Sequence, residues 1–130
     1  MARPEHLSDT DVVDALARVR AACLALPETT ERLSHGAPSF FVRDRSTFVM
    51  FHDDHHGDGR LAIWCAAPDG VQGLLVEQEP DRFFRPPYVG HRGWLGVRLD
   101  VDPDGDELAV IIEDAYRRIA PPALVRRLDP

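Results

Sequence analysis

Hydrophobic and polar positions along this chain follow two periods, and the longer one predicts helices. Behind Ser8, which opens a segment resembling a capping box, apolar residues recur at spacings of three and four until Pro27 stops the pattern. A similar stripe over residues 108–119 predicts the last helix, with Asp104 as its cap. A shorter apolar face after Pro68-Asp69-Gly70 predicts a helix between them, capped by Asp69.

The shorter period predicts five strands, in segments rich in aromatic and β-branched residues. They cover residues 39–43, 47–52 and 61–66, then begin again at Phe83-Phe84 and at 94–99. Residues 28–38 are predicted to be a loop. Short connections favour antiparallel pairing. The predicted fold is therefore a two-layer α+β domain with a largely antiparallel five-stranded sheet, helices on one face, and the order α-β-β-β-α-β-β-α.

The alternation within two strands indicates which side chains face the helices. Leu61, Ile63 and Cys65 share one phase, and residues 95, 97 and 99 share another. The opposite phase carries Trp64, Trp94 and Arg98. If nothing covers that face, it presents two tryptophans through which the chain could form a homodimer or dock a partner.

Length and charge bound the kinds of protein this can be. A chain of 130 residues is expected to form one domain, residues 1–130. It has no apolar run of the length that a membrane span requires and no apolar segment at Met1, so a cytoplasmic protein without a membrane partner is expected. The formal net charge of −7 repels nucleic acid on average, so any DNA contact must use a local patch.

The segment after the third predicted strand has the most unusual composition. His52, Asp53, Asp54, His55, His56 and Asp58 lie within seven positions, and imidazole with carboxylate suits a transition metal. No metal site is assigned, because the cluster runs from a strand end into a glycine-bracketed loop. Two alternatives are a polar hairpin loop, and backbone N–H groups that cradle an anion beside Arg60.

The second candidate segment lies between the last two predicted strands. Its arginine, aromatic and glycine residues are of the kinds that contact phosphates and stack on bases: Arg85, Tyr88, His91, Arg92 and Trp94. The alternative is a proline-rich turn whose aromatic residues pack on their own sheet. Arg43 and Arg45 flank the first hairpin turn, where they could act as a wing or merely keep the hairpin tip soluble.

Catalytic chemistry has little support in the sequence. Ser34 and His35 are adjacent, a spacing that seldom gives a hydroxyl and an imidazole hydrogen-bonding geometry. Cys65 should point into the core, and no phosphate loop, dinucleotide motif or zinc-finger spacing occurs. No catalytic residue and no cofactor are therefore predicted.

Several motifs in order resemble one family of small bacterial proteins. The His-His-Gly-Asp-Gly-Arg run at 55–60 and the Pro-Pro-Tyr-Val-Gly to Gly-Trp-Leu-Gly run at 86–96 are similar to the MmcQ/YjbR family. The resemblance implies a two-layer fold like that of secretion chaperones. It also implies the label "DNA-binding", which comes from the fold and supplies no site residues.

The leading hypothesis is a non-enzymatic binding protein whose partner is DNA, held weakly and in a salt-sensitive way, or a small anionic ligand. A small-ligand or metal site at the His55-His56 loop and a protein-interaction module are the alternatives. The hypothesis requires both glycine-bearing loops to converge at one end of the sheet. Its candidate residues are Arg43, Arg45, His55, His56, Arg60, Tyr88, His91, Arg92 and Trp94.

Overall fold

The computed structural model describes residues 8–101 and 104–129, and these form an α+β fold. Its helices are α1 (Asp9–Leu24), α2 (Val71–Gln78), α3 (Gly105–Ile119) and α4 (Pro122–Val125). Its strands are β1 (Thr29–Ser34), β2 (Ala37–Val42), β3 (Ser46–Asp53), β4 (Leu61–Cys65), β5 (Phe83–Phe84) and β6 (Leu95–Arg98). All neighbouring strands pair antiparallel, in the spatial order β1-β2-β3-β4-β6-β5. The α+β class and the antiparallel sheet are confirmed.

The sheet contains one strand more than the sequence predicts, because β1 lies in the segment predicted to be a loop. Its sequence Thr-Thr-Glu-Arg-Leu-Ser has a single large apolar residue, Leu33, and that side chain is 70% exposed. The strand forms at the sheet edge through its ladder with β2 rather than through a buried face. A polar edge strand of this kind carries no apolar alternation for sequence reasoning to detect.

Two of the three predicted helix caps are confirmed. Ser8 and Asp11 form a reciprocal capping box at α1, and the Asp104 carboxylate accepts from the first backbone N–H groups of α3. The predicted cap of α2 is wrong. Gly70 is the N-cap there, at φ 83°, and Asp69 instead accepts a hydrogen bond from Arg118 at 2.7 Å.

The main core lies between the sheet and helices α1 and α3. Val19, Cys23 and Ile112 are fully buried, and the buried Tyr116 donates a hydrogen bond from its hydroxyl to the Pro27 carbonyl at 2.7 Å. Burial raises the pKa of the Cys65 thiol to about 12, so this cysteine stays protonated in the core. No helix in the described ranges is long and apolar enough to cross a membrane.

The opposite face of the sheet is covered, which removes the tryptophan surface considered above. Trp64 is 3% exposed and Trp94 is 4% exposed. Segments 54–60 and 85–94 fold back over this face, where His55 packs on Trp64 and Arg92 lies over Trp94. The Phe84 ring packs closely on Gly96, because a Cβ added at Gly96 would lie 2.5 Å from the ring. A docking surface made of two exposed tryptophans is therefore not present.

Candidate functional site

The candidate site is part of a groove of about 1450 Å³ that is lined by two loops, by the turn between β1 and β2, and by residues of α1 and α3. We call residues 54–60 the histidine loop and residues 85–94 the tyrosine loop. Both loops contribute to the groove wall, so the convergence that the binding hypothesis requires is present. The rings and the guanidinium group that the two loops and the adjacent strands contribute to the wall belong to His52, His55, Trp64, Tyr88, Arg92 and Trp94.

The histidine loop is closed by its own polar groups. The Asp54 backbone N–H donates to the Arg60 carbonyl at 2.8 Å, and the Gly59 N–H donates to the Asp54 carboxylate at 2.7 Å. Asp54 and His56 both adopt left-handed backbone conformations, with φ of 57° and 48°. His55 is thus held between two residues whose backbone angles are uncommon outside glycine.

The tyrosine loop is anchored by a side chain from α2. The Gln72 amide nitrogen donates to the carbonyls of Gly90 at 2.8 Å and Trp94 at 2.5 Å. At its other end Tyr88 is 70% exposed and has a φ of 65°. A bulky residue in the left-handed region is strained, and such residues concentrate at binding sites.

His55 lies at the centre of a cluster of rings. Its ring centroid lies 4.8 Å from that of His52, 4.1 Å from His56, 4.7 Å from Trp64 and 6.0 Å from Tyr88. The His52 ring also packs on Trp64, with centroids 3.8 Å apart. The Tyr88 contact joins the two loops directly.

We call the part of the wall formed by His52 and Trp64 the inner end of the groove, and each of these two side chains has a buried, unpaired polar atom. Burial, and then the nearby His55 and His56, lower the pKa of His52 to about 4, so its imidazole is neutral at pH 7. Burial and His56 also lower the pKa of His55. In the part of the chain that the structure describes, neither His52 Nε2 nor Trp64 Nε1 has a hydrogen-bond partner, although both atoms are buried.

The structure brings only some of the candidate residues into the groove. Arg45 and Arg92 line it together with His55, His56, Tyr88 and Trp94, and among the described residues neither guanidinium has an acidic partner. Arg92 lies over the Trp94 ring, 5.3 Å from its centroid.

Three other candidates lie outside the groove wall. Arg43 forms an ion pair with Glu28 at 3.1 Å, and Arg60 lies over the Phe84 ring at 4.0 Å. His91 is exposed in the turn of the tyrosine loop. Across the described ranges no three His, Cys, Asp or Glu side chains are placed to hold a metal ion, so the metal alternative gains no support from the geometry.

Comparison with known proteins identifies the family. The sequence model of the YjbR family matches residues 24–118, which is well over half of the chain and includes both loops. The chain belongs to the YjbR family. No curated protein and no solved structure matches it. The YjbR resemblance read from the two motifs is thereby confirmed, and the matched region contains the whole of the groove's inner end.

The sequence analysis does not include three residues of the groove and its anchor among the candidates: His52, Gln72 and Trp64. The sequence analysis places His52 in the polar cluster, although His52 lies two positions from Met50, which pairs with Trp64, and so shares the tryptophan's face. The strand alternation is the signal that could have found it. Gln72 has no comparable signal, because nothing local distinguishes it from any other polar residue on a helix. The alternation in β4 predicts the face on which Trp64 lies but not the loops that cover that face.

Proposed function

We propose that this YjbR chain is a non-enzymatic binding domain, and that the groove between its two loops holds a small organic molecule with a flat ring. The observation that carries the proposal is the pair of unpartnered buried atoms, Trp64 Nε1 and His52 Nε2. Leaving a buried polar group unpaired costs about 1–3 kcal/mol. Because both atoms are buried, a ligand recovers that free energy only if its binding moves the side chains that cover them.

The surroundings of these two atoms support a flat, negatively charged ligand. Imidazole, indole and phenol rings line the groove, and aromatic rings in contact contribute about 0.5–1.5 kcal/mol beyond the area they bury. Arg45, Arg92 and Arg118 contribute guanidinium groups to the wall, and Asp53 and Asp54 contribute carboxylates. Arg118 pairs with Asp69, whereas Arg45 and Arg92 have no acidic partner in the described ranges. The net charge of the whole chain is −7, so this local positive charge is what makes an anion acceptable.

The chain contains two tryptophans, both in the groove wall, so its intrinsic fluorescence reports on this site. The test is a titration with benzoate, indole-3-acetate and nucleoside monophosphates as probes. We expect a saturable change with at least one probe, weakened by Tyr88→Ala and unaffected by Leu74→Ala, which changes an exposed apolar residue outside the groove. A flat response to every probe would overturn the proposal.

DNA is the second candidate, favoured by arginines that surround the two loops without an acidic partner in the described part of the chain. They are Arg45, Arg60, Arg85 and Arg92. Phosphate contacts by these groups would make binding weaken steeply as salt rises.

Fluorescence anisotropy with a labelled duplex, from low to physiological salt, tests the DNA candidate. We expect Arg45→Gln and Arg92→Gln each to weaken binding and to lower the salt dependence. Arg126→Gln is the matched control, because Arg126 is an exposed arginine outside the groove wall. Absence of binding at low salt would exclude DNA and leave the small-molecule proposal intact.

A further inference from the structure

We propose that the whole length of this groove binds an extended peptide of about seven residues, with a basic side chain at one end, an aromatic side chain in the middle and an acidic side chain at the other end. This inference rests on the proposed function and extends it, because the flat ring becomes one part of a longer ligand. The observation behind it is that the positive and negative charges of the wall lie at opposite ends of the groove.

The guanidinium groups of the wall lie at one end of the groove, which we call the arginine end. Arg45 directly precedes β3. Since β3, β4 and β6 pair antiparallel in turn, β6 begins level with the first half of β3, which places Trp94, the residue before β6, at this end. Arg92 lies over the Trp94 ring, 5.3 Å from its centroid. Arg118 also belongs to this end, because it pairs with Asp69, which follows β4.

The carboxylates of the wall lie at the opposite end, which we call the acidic end. Asp53 is the last residue of β3, and Asp54 follows it. Across residues 8–101 and 104–129, no ion pair involves Asp54, and no arginine lines the wall at this end. The neighbouring His52 imidazole is neutral at pH 7, because burial lowers its pKa to about 4. The acidic end therefore attracts a cation, whereas the arginine end attracts an anion.

The distance between the two ends selects an elongated ligand. The eight residues of β3 span about 23 Å, at about 3.3 Å per residue. Benzoate or a nucleoside monophosphate is too short to reach both ends, whereas an extended peptide covers this distance with about seven residues. A peptide also carries side chains of both signs in one molecule, which matches a groove with opposite charges at its ends.

The middle of the groove offers contacts to an aromatic side chain. Met50 lies at the middle of β3, opposite Trp64 on β4, and is partly buried. The Tyr88 ring reaches the same region, because it lies 6.0 Å from the His55 ring, which packs on Trp64. With 70% of its side chain exposed, Tyr88 can stack on a peptide ring without moving any buried group. The Met50 thioether also favours contact with aromatic rings.

The first test compares two peptides of the same composition, with both termini capped, by tryptophan fluorescence at low salt. Lys-Lys-Ala-Phe-Ala-Glu-Glu separates its charges, and Lys-Glu-Ala-Phe-Ala-Lys-Glu mixes them. Neither contains tryptophan, so the signal comes from the two tryptophans of the groove wall. We expect the charge-separated peptide to bind about fivefold more tightly, since exposed charge pairs contribute factors of this order. Equal affinities, or no binding of either peptide, would overturn the inference.

The second test assigns each end of the peptide to one end of the groove. Asp54→Asn removes a charge but keeps an oxygen that can accept from the Gly59 N–H, and asparagine tolerates the left-handed backbone of this position. It should weaken binding of the charge-separated peptide several-fold and leave Ser-Ser-Ala-Phe-Ala-Glu-Glu unaffected. Arg92→Gln should weaken binding of the charge-separated peptide and leave Lys-Lys-Ala-Phe-Ala-Ser-Ser unaffected. Asp81→Asn and Arg126→Gln are the matched controls, at exposed residues outside the groove wall, and should change nothing.

The possible outcomes separate this inference from the proposed function. If Asp54→Asn and Arg92→Gln weaken binding of every peptide equally, the two residues have a structural role and the assignment of the ends is wrong. Saturable binding of benzoate or indole-3-acetate, with no preference between the two peptides of equal composition, would overturn the inference and leave the proposed function intact. No response to peptides and small probes alike would overturn both.

Discussion

At the scale of single residues, burial of the His52 imidazole in the groove wall lowers the stability of the folded chain in acid. Its imidazole packs 3.8 Å from the Trp64 ring and is neutral at pH 7, because burial, and then the nearby His55 and His56, lower its pKa to about 4. An unfolded histidine titrates near pH 6.5. Between these two pH values the unfolded chain binds the additional proton, and the folded chain does not.

The expected consequence is a loss of stability as the pH falls from about 6.5 towards 4, with no contribution from this group above that window. His52→Phe keeps a flat ring and removes the titration, so its thermal midpoint should fall less than that of the parent chain over this interval. Thermal unfolding at several pH values checks this. Parallel curves for the two proteins would contradict it, and His91→Phe, at an exposed histidine, should follow the parent.

Tyr88 carries backbone strain that its exposed ring does not offset. With φ at 65° and a side chain that is 70% exposed, it gains little from burial and is held in an unfavourable conformation. Tyr88→Asn should raise the free energy of unfolding by about 0.5–1 kcal/mol, since asparagine tolerates this conformation better. The same variant should weaken binding of groove ligands. Denaturant unfolding measures the first effect, and a loss of stability would show that the ring contributes more than the strain.

Candidate chemistry at this scale was largely visible in the sequence. The unusual residue types in the two loops singled out His55, Tyr88 and Arg92, and all three lie in the groove wall. The pairing of Arg43 with Glu28 was not predictable, because it joins residues far apart in the chain. Nor could any local pattern indicate that two buried polar atoms would lack partners.

At the scale of elements, helix α2 determines where the tyrosine loop lies. Gln72 spans the gap with two hydrogen bonds to carbonyls at either end of the turn, Gly90 and Trp94. Each hydrogen bond of this kind contributes about 1 kcal/mol net. A single amide on a short helix thus fixes the segment that carries the exposed Tyr88.

Gln72→Leu should lower the free energy of unfolding by about 1–2 kcal/mol and increase hydrogen exchange of the tyrosine loop more than that of the sheet. Ligand affinity should fall with it, because the loop no longer holds its position. Gln78→Leu is the matched control, since Gln78 is an exposed glutamine at the end of the same helix. If both variants behave alike, the anchor has no special role.

Elements differ in how far the sequence predicts them, and the reason is burial. Strands β2, β3 and β4 pack apolar side chains, and the sequence pattern predicts each of their ends to within two residues. Strand β1 depends on backbone pairing at an edge and was predicted as loop. The cap of α2 failed for a related reason, because Asp69 has a distant partner, Arg118, that no local pattern shows.

At the scale of the whole molecule, the fold gives the two faces of its sheet different roles. Helices α1 and α3 cover one face and build the main core with residues such as Ile112 and Tyr116. The two loops lie over the other face, where Trp64, Phe84 and Trp94 are part of the same buried core. The groove lined by these loops also reaches Val12 of α1 and Ile119 of α3, so recognition is proposed where the loops and the helical layer meet.

The Trp64 indole N–H reports whether the inner end of this groove is a ligand site. In a ¹H–¹⁵N correlation spectrum the chain gives two indole signals, and the one missing from Trp64→Phe belongs to Trp64. On addition of a probe that gives a saturable fluorescence change, we predict that this signal moves downfield as the N–H gains an acceptor, together with signals from both loops and few elsewhere. A Trp64 signal that stays in place at a saturating probe concentration would show that the ligand binds elsewhere.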